Sequence, residues 1–554
     1  MLWVLCSPLL LAQNLNLKIS GINDDETKII DSLSYNNSFP NYNTLFDQIN
    51  LIHDRLQNIG YIESKIIETK KINDSVYQSI FDLKQKFYTI YIYYDKNLIS
   101  QDFINTISNN YSDKYFALPI SKIEPTLKII NSQLTSKGLP FANFNLMNIE
   151  KIDAENLKAD LLVDETSKRN IDNIIIKGYE QFPRSFVKHY LKIKTNRLFN
   201  LNRIKQKTEQ LDDLLFAKQT KSPEVLFTKD STTLYLYLEK TKSNAFDGFL
   251  GFGTNETTNK LEFDGYLNLN LVNNLNYGEQ FNLIYKSDEN NQKTFDANLS
   301  LPYIFGLPIG SELALNIFKK DSTFTTVNQD ASIYYQLNSK HKLLVGINAI
   351  QSNNLLSQST NTDIQDYNSA FYKIRYVYKE PKLYDLLFPI DLIIDAALGF
   401  GNRNSNFRTE QQIEAKLAVS KIFNLDQKNS IFIRAKGNAL LSDSYFTNEL
   451  YRFGGINSIR GFEENSILAS HYGLINLEYR YRLNSGIYIH SITDGSYFEN
   501  RITKTKEKVF GFGFGFGILT KAGLLKLNYA NGKNENQKFK FSNSKIHLSL
   551  TAIF

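Results

Sequence analysis

The sequence is nearly free of cysteine: its 554 residues include one, Cys6. Cys6 lies in an apolar run from Leu2 to Leu11 that is followed by polar chain. We interpret residues 1–13 as an export signal, although the usual basic N-terminal region is missing, and the alternative is a buried N-terminal strand. Removal of the signal would leave no thiol in the mature protein. Thiol catalysis, disulfides and cysteine-based metal sites are then excluded.

Long apolar runs and clustered charges are also scarce. The run from Leu2 to Leu11 is too short to cross a bilayer as a helix. Lys and Arg number 63 against 57 Asp and Glu, and the net charge of +6 is spread without basic clusters, which is not the pattern of a nucleic-acid-binding protein. Aromatic residues are plentiful at 13%, and together with the polar residues between them they favour alternating β-strands.

Sequence motifs of known catalytic sites are missing. There is no H-E-x-x-H, no G-x-S-x-G, no Walker A motif and no helix-opening G-x-G-x-x-G. The six histidines are scattered along the chain: His53, His189, His341, His471, His490 and His547. The sequence therefore predicts a protein that is not an enzyme and that has no catalytic residues, metal site or cofactor.

The first part of the chain repeats one helical pattern three times. Apolar residues recur there at three- and four-residue steps, and a glycine follows the first two copies: Leu45, Ile49, Ile52, Leu56, Gly60; Ile123, Leu127, Ile130, Leu134, Gly138; Ile204, Leu211, Leu215. Each copy opens with a short strand and closes with further strands. We predict three tandem α+β domains, at residues 14–84, 85–167 and 168–243, each with an open sheet edge that could capture an extended peptide.

Residues 244–554 have the pattern of a transmembrane β-barrel. Segments of alternating hydrophobicity are separated by turn residues, and in "GLINLEYRYRL" the charged residues share one face. Sixteen such segments start near Ala245, Lys260, Gly278, Lys293, Ile309, Phe324, Lys340, Asp366, Phe388, Gln411, Lys428, Tyr472, Gly486, Lys508, Gly523 and Lys545. The even number suits an outer-membrane barrel, and a soluble β-sandwich is the alternative.

The fourteenth segment contains "GFGFGFG". Because side chains alternate along a strand, its phenylalanines share one face and its glycines the other. We expect Phe510, Phe512, Phe514 and Phe516 to face lipid, and the glycines to leave room inside the barrel: Gly511, Gly513, Gly515 and Gly517.

One long connection, "YRFGGINSIRGFEENSILAS", carries a family resemblance. Its "SIRGF" resembles the VRGF/Y motif in the sixth extracellular loop of the Omp85 superfamily, and the three repeats resemble the POTRA domains of that superfamily. The matching residues are Gly454, Gly455, Arg460, Gly461 and Phe462. The resemblance implies that the loop folds into the barrel, where its arginine contacts acidic residues on the wall.

Two acidic residues are candidate partners of Arg460 inside the barrel. Asp494 is followed at once by Gly495, which resembles a family strand motif with the glycine one residue early, but Asp-Gly could instead be a hairpin turn. Glu478 could pair with Arg460 or with its neighbours Arg480 and Arg482. A buried arginine needs such a partner, since burial of an unpaired charge is costly. We expect the bare glycine face to accommodate the inserted loop.

The resemblance also implies a function. Omp85 proteins insert or translocate other proteins without nucleotide hydrolysis, so we expect an outer-membrane location in a Gram-negative-type bacterium and POTRA-like repeats in the periplasm. The expected partners are the lipid bilayer, unfolded client proteins, and an accessory lipoprotein or inner-membrane partner, without nucleic acid. A lateral gate would lie between the first and last barrel strands, at Gly248, Gly251, Gly253, Ser549 and Phe554.

Three repeats match the TamA-like translocation and assembly type of the superfamily better than its main assembly factor, the BamA-like type, which usually carries five. Two other functions remain open from the sequence. One is a two-partner-secretion exporter that passes its client through the barrel lumen, and the other is a passive outer-membrane pore.

Overall fold

The computed structural model describes residues 14–164, 168–254, 261–287, 292–356, 363–520, 523–535 and 544–553. The predicted signal, residues 1–13, lies outside this range. The chain divides into two compact units, Met1–Asn170 with Asn196–Arg203, and Ile171–Thr195 with Ile204–Phe554. Among the described helices, none combines the length and the apolar character needed to cross a membrane.

The first α+β domain pairs two helices with a four-stranded sheet. Its elements are β1 (Leu15–Gly21), α1 (Asp24–Ser32), β2 (Ser38–Phe39), α2 (Tyr42–Asn58), β3 (Lys65–Asn73) and β4 (Val76–Asp82). The strand order is β2-β1-β4-β3, with β1 parallel to β4. The Asn41 side chain caps α2 by accepting from the Thr44 backbone N–H at 3.0 Å. The predicted apolar face of α2 is buried: Leu45, Ile49, Ile52 and Leu56.

The second domain repeats this arrangement with one more strand. It contains β5 (Thr89–Tyr93), α3 (Gln101–Ile107), β6 (Asn110–Tyr111), β7 (Tyr115–Pro119), α4 (Ile123–Ser136), β8 (Asn143–Lys151) and β9 (Asn156–Asp164). The order is β6-β7-β5-β9-β8, and β5 is parallel to β9. In the described part of these sheets β3 and β8 are edge strands with largely exposed side chains. Such edges have backbone groups free for another strand.

The third domain departs from the predicted pattern. Its elements are β10 (Asn173–Lys177), a π-helical turn (Phe186–Tyr190), α5 (Leu201–Thr208), a 3-10 segment (Glu209–Asp213), β11 (Ala217–Phe227) and β12 (Thr232–Lys240). The predicted long helix thus ends early, at Thr208. The tighter 3-10 turn that follows still buries Leu211 completely, as the repeat pattern requires.

The third domain and the barrel belong to the same unit and are joined by specific contacts. The Tyr179 hydroxyl donates to Asn276 Oδ1 at 2.6 Å and accepts from Asn273 Nδ2 at 2.7 Å. Phe186 packs edge-on against Tyr303, with ring centroids 5.0 Å apart. These contacts fix the domain on the turns that follow the second and fourth barrel strands.

The barrel is closed and has sixteen antiparallel strands. They are β13 (Ala245–Thr254), β14 (Leu261–Val272), β15 (Gln280–Ser287), β16 (Gln292–Leu301), β17 (Ile309–Lys320), β18 (Phe324–Gln336), β19 (His341–Asn354), β20 (Tyr367–Pro381), β21 (Ile390–Ser405), β22 (Thr409–Asn424), β23 (Asn429–Leu441), β26 (His471–Asn484), β27 (Ile487–Asn500), β28 (Thr505–Thr520), β29 (Gly523–Asn534) and β30 (Ser544–Ile553). The number of strands is confirmed, and each starts within a few residues of its predicted position.

The two faces of the wall have the predicted character. Phe510, Phe512 and Phe514 on β28 are exposed on the outside. Charged side chains face the lumen and pair across strands, as Arg375 does with Asp395 at 2.6 Å. A polar cavity of about 500 Å³ occupies the lumen between β16 and β23.

Candidate functional site

The connection between β23 and β26 folds into the barrel as a loop with its own small hairpin. Two short strands, β24 (Tyr451–Phe453) and β25 (Ile467–Ala469), pair at its base. The backbone turns at Gly454, Gly455 and Gly461, where φ is +118°, +94° and +90°. Glycine adopts these angles without strain. At Gly461 a Cβ would also lie 2.3 Å from the backbone N of Gly532. The loop tip can therefore approach the wall this closely only with glycine at position 461.

Arg460 at the loop tip forms a buried ion cluster with both predicted carboxylates. Its Nε donates to Asp494 Oδ2 at 2.8 Å and its Nη2 to Asp494 Oδ1 at 2.7 Å. Its Nη1 donates to Glu478 Oε1 at 2.5 Å. The Arg460 side chain is 5% exposed, and that of Asp494 is 1% exposed. A planar guanidinium that satisfies two carboxylates in this way defines the position of the loop closely.

The Arg460 backbone is held by the same cluster. Its N–H donates to Asp494 Oδ2 at 3.0 Å, and Asn476 Nδ2 donates to the carbonyl of Ser458 at 2.7 Å. Arg434 Nε in turn donates to Asn476 Oδ1 at 2.8 Å. The loop tip is therefore bound to the wall through its backbone as well as its side chain.

The structure shows the positions and partners of the two carboxylates. Asp494 and Gly495 lie inside β27, so they do not form a hairpin turn. Glu478 binds Arg480 as well as Arg460, with Arg480 Nη2 2.7 Å from Glu478 Oε2. Arg482 pairs instead with Asp385, at 2.6 Å.

Only part of the glycine face accommodates the loop. A Cβ at Gly511 would lie 2.2 Å from the Arg460 carbonyl oxygen. The expectation for the other three glycines was wrong, because the atoms nearest to an added Cβ belong to the barrel wall. They belong to the neighbouring residues Tyr529 at Gly513, Asn528 and His490 at Gly515, and Tyr488 at Gly517.

Gly532 on β29 is a loop contact that the sequence analysis missed. A Cβ there would lie 2.6 Å from the Gly461 carbonyl oxygen and 2.8 Å from the Phe462 ring. Gly532 follows Asn531 in an ordinary polar stretch, and no sequence signal distinguishes it from a turn residue. Its role depends on the register between β28 and β29, which places Gly532 opposite Gly511.

The junction between the first and last strands is short. Among the described residues of the two strands, β13 pairs with β30 only through Ala245–Asp247 opposite Thr551–Ile553. By contrast, β13 pairs with β14 along its whole length. Gly248 directly follows the paired segment and has φ +151°, and a Cβ there would lie 2.3 Å from the Tyr266 carbonyl oxygen.

The other predicted seam residues do not pair with one another. Gly251 and Gly253 lie opposite Asp264 and Glu262 in β14, and Ser549 lies opposite Lys526 in β29. Phe554 lies outside the described residues. The seam is therefore defined by residues 245–247 and 551–553.

No family model and no curated protein matches this sequence. Solved structures do match the fold. CdiB from Escherichia coli has a TM-score of 0.52 at 12% identity, with 92% of this chain and 97% of that chain covered. BamA from Haemophilus ducreyi, in a form lacking POTRA domains 1–3, has a TM-score of 0.51 at 13% identity, with 84% and 99% covered. CdiB from Acinetobacter baumannii has a TM-score of 0.51 at 14% identity, with 84% and 89% covered.

These likenesses confirm the fold that the resemblance implied. The matched part of this chain comprises N-terminal α+β domains followed by a closed barrel of sixteen strands. At 12–14% identity the comparison concerns architecture alone.

Proposed function

We propose that this chain is an outer-membrane Omp85-type protein that inserts or exports client proteins without nucleotide hydrolysis. Unfolded clients would first add a strand to the free edges β3 and β8 of the POTRA-like domains in the periplasm, and would then pair with the barrel seam. Accessory lipoproteins or an inner-membrane partner are further candidates. The free energy would come from folding of the client.

The short seam is the observation that carries the proposal. A closed barrel normally satisfies every backbone donor and acceptor within its own strands, because hydrocarbon offers none. Here Ala245–Asp247 and Thr551–Ile553 hold the junction, so few hydrogen bonds must break before both edges can accept a client strand. Strand addition at such an edge needs no particular client sequence, since the contacts are made by the main chain.

The buried cluster at the loop tip supports the same proposal. Arg460, Asp494 and Glu478 fix the loop on β26 and β27, and the loop reaches β30 through the exposed ion pair Lys545–Glu463, at 3.2 Å. Because an exposed ion pair contributes little, β13 and β30 can separate while the loop stays anchored on β26 and β27.

Export through the lumen is the second candidate, and the polar cavity favours it. The cavity is lined by groups that could accommodate an unfolded hydrophilic chain, among them Asn316, Asn328, Asp330 and Lys436. The two candidates differ in whether the seam must open.

A disulfide across the seam tests the proposal. In the F246C/A552C variant the cysteines lie directly opposite each other on β13 and β30, and no other cysteine remains once the signal is removed. Under oxidising conditions we expect outer-membrane client levels to fall by about tenfold or more, and reduction should restore them, because a covalent bond prevents separation that hydrogen bonds permit.

The matched control is F246C/L269C, which uses the same cysteine on β13 but links it to the fully paired strand β14. This variant should support normal assembly in both redox states. Normal client levels with the β13–β30 disulfide formed would contradict lateral insertion. Normal secretion of a soluble client with the seam locked would then favour export through the lumen. A wild-type protein that neither inserts nor secretes any client would indicate a passive pore.

A further inference from the structure

A second buried arginine holds the other half of the loop. Arg403, near the end of β21, is completely buried. Its Nη1 donates to Glu449 Oε1 at 2.5 Å, and its Nη2 donates to Ser444 Oγ at 2.7 Å and to Glu410 on β22. Its guanidinium carbon lies 4.0 Å from the centre of the Phe446 ring. Ser444, Phe446 and Glu449 all belong to the first half of the loop, residues 442–453.

Both carboxylates of this cluster are tightly bound. Glu410 and Glu449 are 5% and 4% exposed. Glu449 Oε1 also accepts from the Phe446 backbone N–H at 2.9 Å, and its Oε2 accepts from Gln412 Nε2 at 3.3 Å. Carboxylates bound in this way fix position strongly, since removal of their cation leaves a buried charge unpaired.

Beyond Arg403 the first half of the loop also contacts β17–β19, the part of the wall that lies across the lumen from β26 and β27. Asn448 Nδ2 donates to Ser352 Oγ on β19 at 2.8 Å and to the Gln365 carbonyl at 2.7 Å. Arg452 lies between two rings, with its guanidinium carbon 4.5 Å from the centre of Phe318 on β17 and 4.7 Å from that of Phe324 on β18. The loop tip then reaches β26 through Arg460.

We propose that Arg403 is a positioning residue that, together with Arg460, holds the loop as a bar across the lumen and closes the barrel to solutes. Arg403 acts through Glu449 on the loop side. The bar is bound at β17–β19, at β21–β22 and at β26–β27, so it spans the barrel and does not rest on one wall. This inference goes beyond the proposed function, which concerns the seam.

Arg452 is the weakest of the three anchors. No salt bridge of Arg452 occurs among the described residues, and its Nη2 makes only long contacts, 3.4 Å each, to the carbonyls of Thr447 and Asn448. Stacking on aromatic rings partly offsets the burial of its charge. Release of the bar should therefore begin at β17 and β18, with Arg403 retaining the loop.

Conductance of the purified full-length protein in planar bilayers tests this inference. The wild type should be closed nearly all the time. R403Q and E449Q should each increase the fraction of time open by about tenfold or more. R403Q leaves Glu449 buried without its cation, and E449Q removes the carboxylate that ties the loop to Arg403. E449Q changes only the loop, so it carries the test if R403Q fails to fold. Folding is checked by heat-modifiable migration in gels.

R408Q is the matched control. Arg408 binds the same carboxylate, Glu410, with its Nε 2.5 Å from Oε1, but its side chain is 55% exposed. An exposed ion pair contributes little, so this variant should stay closed. The double variant R403Q/E449Q should be no more open than the more open single variant, because the two residues act through one contact.

Four results would overturn the inference: an open wild type, closed single variants that are folded, equal opening by R408Q, or effects of R403Q and E449Q that multiply. None of these measurements depends on client insertion. If the conductance results contradict this inference but the seam disulfide blocks client insertion, the proposed function stands. If the conductance results agree but the seam disulfide has no effect, the protein is a gated pore.

Discussion

Replacing Arg460 with glutamine is expected to release the loop tip and to lower outer-membrane client levels at least about tenfold. The variant leaves Asp494 and Glu478 buried without the cation that binds both. Breaking a buried ion pair from one side typically costs about 3–5 kcal/mol. Glutamine retains some hydrogen bonding, so the loss reflects the charge and the two-pronged geometry of the guanidinium.

Two measurements check this expectation. Limited proteolysis reports whether residues 442–470 become accessible, and quantitative mass spectrometry of outer membranes reports client levels. R482Q is the control. Arg482 is also a lumen arginine, but it pairs with Asp385, which is not part of the loop. R460K should be intermediate, since lysine keeps the charge but not the fork. A protease-resistant loop in R460Q would show that the backbone contacts suffice.

The second large effect is expected from a β-branched residue in the glycine face. In G511V the new Cβ would begin 2.2 Å from the carbonyl oxygen of Arg460, so the loop must move even though valine suits the strand. Overpacking of this kind usually costs about 1–3 kcal/mol. We expect faster proteolysis of the loop, a lower denaturation midpoint and reduced client assembly.

G473V is a matched control for this variant. Gly473 lies on β26, and an added Cβ there meets nothing within 4 Å, so valine at this position should leave the loop and client assembly unchanged. G532V should behave like G511V, because it meets the Gly461 carbonyl oxygen. Equal loop protection in G511V and G473V would contradict the close approach of loop and wall.

Much of the architecture could be predicted from local pattern. Alternation along a strand has a strict period of two, so the sixteen barrel strands were recognisable from the sequence alone. The long amphipathic helices α2 and α4 were also recognisable from a regular period. Their apolar residues recur every three or four positions along one face, and a glycine follows each helix. The third helix was predicted too long, because apolar spacing alone does not distinguish an α-helix from the 3-10 turn that carries Leu211.

The site was predictable where a motif or a single strand identified the residue. Arg460 was identified because SIRGF resembles a family motif, and Glu478 and Asp494 because a buried arginine needs acidic partners on the wall. The contacts of Gly532 and Arg403 depend on which residues of different strands come together, and that is a matter of register and loop path. Glycines 513, 515 and 517 were misassigned for the same reason: the loop crosses the wall at Gly511 and then turns to β29.

The loop that is bound to both β17–β19 and β26–β27 also constrains the shape of the barrel in cross-section. A barrel without internal connections can become more elliptical through small changes in strand curvature all around its wall. Here the distance between two nearly opposite arcs is fixed by side-chain contacts, so thermal fluctuations of the circumference must be taken up elsewhere. In the described part of the barrel, β13 and β30 are joined by only a short run of paired residues. We therefore expect the largest changes in barrel shape to occur between these two strands.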